Sequence, residues 1–153
     1  MRILGEKSLS VAIKYFLDII FAGGILIILG LPFILKWYLD WLKGSTSGHY
    51  AFFLPFLYLT GILALALVNE LRKVFKTLNR MDPFRMDNVR SFKIMSVCCF
   101  AIAVLYAVKI FVYNSFLTII LFMVFIIGGF FLLILAEIFR QAAIVKEEND
   151  LTI

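Results

Sequence analysis

Charge is scarce in this chain. Asp, Glu, Lys and Arg make up 16% of its 153 residues, against about 25% in a typical soluble domain. Apolar residues make up 63%, against about 45–50%. A soluble fold of this size has too much surface for its volume to hide that excess. Histidine is scarcer still, with His49 the single example. The two cysteines, Cys98 and Cys99, are neighbours. Neighbours on a helix point in different directions, so the two thiols do not make a metal pair, and no CxxC is present. Neither a metal or redox site nor a bound cofactor is expected, and a buried Cys acts as a small hydrophobe. No hydrolase, kinase, phosphate-loop or zinc-protease motif occurs. A Ser-His arrangement would have to recruit His49 from a flexible outer loop, so no enzymatic activity is expected. Alternation at period two is absent, which argues against a β-barrel. No small-x-small cleavage site follows the basic start, and no lipidation motif is present.

What the chain has instead is four long apolar runs: about Tyr15–Leu35, Tyr50–Val68, Ile94–Val112 and Phe116–Ile138. A hydrocarbon core of about 30 Å takes about 20 helical residues, and each run is close to that. Backbone groups in lipid must bond within their own segment, so each run is expected to be a helix. The fold class is all-α: one membrane domain of four transmembrane helices spanning residues 1–153.

The positive charge is unevenly placed. Seven of the fifteen Lys and Arg residues fall between Leu71 and Lys93, and subtracting Asp82 and Asp87 leaves +5, the net charge of the whole protein. The N-terminal arm adds Arg2, Lys7 and Lys14, and the tail adds Arg140 and Lys146, making twelve on one side. Lys36, Lys43 and Lys109 fall on the other. Basic loops mark the cytoplasmic side, so both termini and the basic connection are expected there. Trp37, Tyr38 and Trp41 then sit at the outer interface, followed by a flexible turn, Gly44-Ser45-Thr46-Ser47-Gly48. The third connection, around Tyr113-Asn114-Ser115, is short enough to make the last two spans an antiparallel hairpin.

Within the basic connection, Leu71, Val74, Phe75, Leu78 and Met81 recur at helical spacing, with Arg72, Lys73, Lys76 and Arg80 between them. This predicts an amphipathic helix continuing from the second span. Asp82-Pro83 interrupts it, with Asp82 suited to cap a new helix that starts near Pro83 or Asp87. Charge alone points to a surface resting on anionic headgroups. The patterned break, including Phe84, also suits docking of a cytoplasmic protein. No DNA-binding motif accompanies the charge, so direct nucleic-acid binding is not expected. The acidic tail is expected to dock on the connection through Glu147, Glu148 and Asp150 and through the apolar ends Leu151 and Ile153. Exposed ion pairs contribute only about 0–1 kcal/mol each, so docking needs those apolar contacts.

Ionisable residues in spans are candidate functional groups, but here they lie near span ends. Asp18 is one turn from Lys14, which predicts an i,i+4 pair. Glu70 and Glu137 sit where water or the basic connection is in reach, and Lys109 can snorkel outward. No carboxylate or His lies at mid-span, which leaves a proton relay or ion path without support. Gly23, Gly24, Gly30, Gly128 and Gly129 permit close helix approach and would also suit a homodimer.

This pattern resembles a family of bacterial four-span membrane proteins known only as a domain of unknown function, with the Bacillus YoaS-like proteins among its members. The residues that carry the resemblance are Asp82-Pro83-Phe84 with Asn88-Val89, and Ala136-Glu137-Ile138-Phe139 leading to Glu147-Glu148-Asn149-Asp150-Leu151-Thr152-Ile153. The family usually has Asn-Pro-Phe where this chain has Asp-Pro-Phe, a mild change because both residues cap helices. The resemblance implies a four-helix integral membrane protein of the bacterial plasma membrane, often encoded beside a small helix-turn-helix regulator, and it carries no catalytic residues. The expected function is a non-enzymatic membrane partner of such a regulator. The alternative is a small transporter or a protein that protects the membrane against a toxic peptide.

Overall fold

The computed structural model describes residues 4–41, 46–80 and 82–152, with side chains from Val11 to Trp41, His49 to Arg80 and Asp82 to Thr152. Arg2, Lys43, Met81, Ile153, the side chain of Lys7 and the Gly44-Ser45 part of the expected turn lie outside the described residues. Four helices follow in chain order: α1 (Leu4–Trp41), α2 (Thr46–Asn79), α3 (Met86–Val112) and α4 (Phe116–Leu151). Among the described residues there is no strand. Each helix is long and apolar enough to cross a membrane.

The helices outrun the apolar stretches. A residue rises about 1.5 Å along a helix, so the 27 to 38 residues of each helix exceed an apolar core of about 30 Å. The surplus of α2 and α4 lies at the basic end, where both helices continue with one apolar and one charged face. Thr46, Ser47 and Gly48, expected in a flexible turn, belong to the start of α2, and so does His49. Its ring lies 4.9 Å from that of Tyr113, so it is part of an aromatic cluster and not of an outer loop.

Neighbouring helices run antiparallel, and backbone packing follows chain order: α1 on α2, α2 on α3, α3 on α4. The start of α1, the α2–α3 connection and the end of α4 share one end, as the contacts Arg72–Asp18 and Lys146–Asp82 require. The best-buried cluster lies toward that end, where Val74 of α2 meets Val89, Phe92 and Met95 of α3 and Ala136 of α4. Lipid tails are as apolar as Leu, so lipid gives helices little reason to bury apolar faces against one another. Leu29, Phe33, Phe111 and Ile127 accordingly remain exposed to the bilayer.

Close approach is local. A Cβ on Gly24 would stand 2.6 Å from Leu65 Cδ2, and one on Gly129 would stand 2.8 Å from Phe100 Cε1. Beside Gly129, the buried Ser96 donates through Oγ to the Gly129 carbonyl at 2.8 Å. Gly23 and Gly128 face open space, and Gly30 meets only Ile34 of its own helix. The expected pairing of Asp18 with Lys14 gives way to one across α1 and α2, because Arg72 Nε reaches Asp18 Oδ1 at 2.6 Å and lays its guanidinium over the Phe21 ring. Lys109 reaches across to α4. Its Nζ donates to the buried Thr118 hydroxyl at 2.9 Å and lies 5.6–6.0 Å from the ring centroids of Phe53, Phe56 and Tyr106. A hydroxyl and three ring faces thus border the partly buried ammonium.

Candidate functional site at the basic end

The turn between α2 and α3 is held by a buried side chain. Asn88 is 1% exposed. Its Nδ2 donates to the Pro83 carbonyl at 2.6 Å and to Thr77 Oγ1 at 2.7 Å. The Thr77 hydroxyl donates in turn to the Val74 carbonyl at 2.7 Å. Residues of the last turn of α2, the connection and the first turn of α3 are thereby joined. Asp82 does not cap the new helix. The cap position belongs to Arg85, which is extended and makes no side-chain cap bond. Asp82 is drawn instead to Lys146, whose Nζ donates to Oδ1 at 2.6 Å. That hydrogen bond holds the Asp82 carboxyl below its ordinary range and raises the Lys146 ammonium above its own.

The tail therefore docks with the opposite sign from expectation. A tail cation meets an acid of the connection. Glu147, Glu148 and Asp150 are exposed, and Leu151 is 86% exposed, so neither the tail acids nor this apolar end makes the contact. α4 stays helical to Leu151, and the face that turns inward carries Phe139, Ala143 and Lys146, whereas Glu148 emerges on the opposite side. Ala143 is buried, and the Phe139 ring lies 5.5 Å from Phe84 and 4.8 Å from Phe92. Phe84 keeps 42% of its surface exposed. Glu147 and Asp150 share a shallow groove with Phe84, Arg85 and Lys146.

On the α2–α3 side lies a larger cleft of about 640 Å³. Lys73, Lys76 and Arg80 line it from α2, and Arg85 and Arg90 line it from the connection and α3. Its two acids are neutralised. Glu70 is buried, accepting from Ser91 Oγ at 2.8 Å and from Lys73 Nζ at 2.5 Å. Asp87 meets Arg85 at 3.1 Å. Among the described residues, Lys76, Arg80 and Arg90 form no ion pair. The cleft offers unmatched positive charge and hydrogen-bond donors, the chemistry that holds an anion.

Of the candidates read from the sequence, Lys73, Lys76 and Arg80 converge on the cleft. Arg72 turns away to α1, and Asp82, Pro83 and Phe84 form the turn braced against α4. Sequence reasoning passed over Arg85, Arg90 and Lys146 as individual contributors, and Asn88 and Ser91 as their organisers; Glu70, expected within reach of water or the basic connection, meets Lys73 and Ser91 there. One signal was present: Asn88 and Ser91 stand three residues apart, in line with Met95 on the core face of α3, where an unpartnered polar group is costly.

No curated protein and no solved structure matches the chain. A family model does match, over residues 34–153, from within α1 through the basic connection and the α4 tail. The chain belongs to that family, described as a protein of unknown function (DUF2975).

Proposed function

We propose that this is a non-enzymatic protein of the bacterial plasma membrane, with both termini and the basic end in the cytoplasm. Its turn-and-tail face holds a small cytoplasmic helix-turn-helix regulator. The charge asymmetry supports the orientation. The observation that carries the docking reading is the bracing of Phe84. Its backbone neighbour is tied to Asn88, its ring rests on Phe139, and Asp82 beside it is fixed to Lys146. A half-exposed aromatic on a pre-ordered turn loses little entropy on binding and is the kind of residue that anchors an interface. The partner type comes from the family resemblance alone.

The experiment uses the full-length protein in nanodiscs and a purified small helix-turn-helix regulator of the kind that the family resemblance implies. Saturable binding by the native chain, weakened about tenfold or more by Phe84→Ala, is the expected result. No binding to the native chain, together with solute flux in liposomes, would replace this reading with the transporter one.

A further inference from the structure

We propose that the cleft between α2 and α3 is a binding site for the phosphate headgroup of an anionic phospholipid, with one acyl chain lying along α3. The inference rests on the membrane placement of the helices and not on the regulator reading.

Two observations point to the same ligand. The first is charge. Lys76, Arg80 and Arg90 surround the cleft without a carboxylate among the described residues, while Glu70 and Asp87 are already neutralised by Lys73 and Arg85. The remaining field is positive, and arginine forks match phosphate oxygens. A volume of about 640 Å³ holds far more than one water, whose share of the liquid is about 30 Å³. The second observation is what leads out of the cleft. Ile94 lines it, one turn beyond Arg90, and Val97 and Val104 continue the same helical stripe at spacings of three and seven. They are 66% and 62% exposed, so the stripe lies open. A ligand with an anionic head and an apolar chain satisfies both the cleft and the stripe. A free phosphate satisfies only the cleft, which is why lipid is the occupant chosen. Basic pockets between helices at a membrane surface are a known way to hold such heads.

The test is lipid retention by the full-length protein, purified in neutral detergent and titrated with phosphatidylglycerol, phosphatidylcholine or inorganic phosphate, read by native mass spectrometry and by the shift in Tm. Saturable retention of phosphatidylglycerol with a rise in Tm is expected, with little of either for phosphatidylcholine. Arg90→Gln should weaken phosphatidylglycerol binding about tenfold. Lys93→Gln, which removes the same charge from an exposed position off the cleft, should leave it near native. If Arg90→Gln does not fold, the Lys76→Gln and Arg80→Gln pair takes its place with the same expectation. Equal retention of phosphatidylcholine, or equal binding by the cleft and Lys93 variants, would overturn the site. Inorganic phosphate that binds as tightly as phosphatidylglycerol would overturn the lipid assignment in favour of a soluble anion.

Discussion

Asn88, Ser96 and Glu70 are three polar side chains buried among apolar helices, and each finds its partner on another segment. Where water is absent an unpartnered polar group costs more than its hydrogen bond gains, so such residues fix which helices meet and at what height. Gly129 makes the same point through shape. Its missing side chain admits the Phe100 ring, and Ser96 bonds its carbonyl. Gly129→Ala is expected to lower stability by about 1–3 kcal/mol, the usual cost of overpacking. Gly128→Ala, where open space awaits the methyl, should change it by less than about 0.5 kcal/mol. Unfolding of the two variants in detergent micelles checks the contrast, and equal losses would contradict it.

The helical tail of α4 and the α2–α3 turn act together through Asp82 and Lys146. The carboxyl is held below its ordinary range, so the contact is complete above about pH 4 and is lost as pH falls through the lowered value. The ammonium is held above its ordinary range, so the contact survives to about pH 10.4 and is lost only as pH rises through the raised value. Spin labels at Met86 and Glu147 should therefore report one unchanged distance between about pH 5 and 9. The distance distribution should broaden at strongly acidic pH, and Lys146→Ala should broaden it at neutral pH. A distance insensitive to Lys146→Ala would mean that Phe84 and Phe139 hold the tail without the ion pair.

At the level of the whole molecule, α1 stands at the edge, packed among the described residues on α2 alone, while α3 carries much of the buried surface. The weight of packing lies at the basic end, and the opposite end is tied by an aromatic cluster around Lys109. The proposed orientation places Glu148 in the cytoplasm and Asn114 outside. With Cys98 and Cys99 replaced by Ala, Asn114→Cys should react with a membrane-impermeant maleimide in intact cells, and Glu148→Cys only after permeabilisation. The reverse pattern would invert the topology and with it the docking proposal.

The four spans, the continuation of α2 as a basic helix, the break at Asp82-Pro83 and the α3–α4 hairpin follow from the sequence alone. Long apolar runs in lipid have one backbone solution, and Pro83 cannot continue a helix. Which polar side chain meets which was decided only by the tertiary structure. Arg72 chose Asp18 over its place on the basic face, Lys146 reversed the sign of the tail contact, and Lys109 turned inward to Thr118. Spacing along one helix fixes the face on which a side chain emerges. Partners on other helices depend on the height and rotation at which the helices pack, and small residues such as Gly24 and Gly129 set those quantities across distances in the chain that no local pattern records.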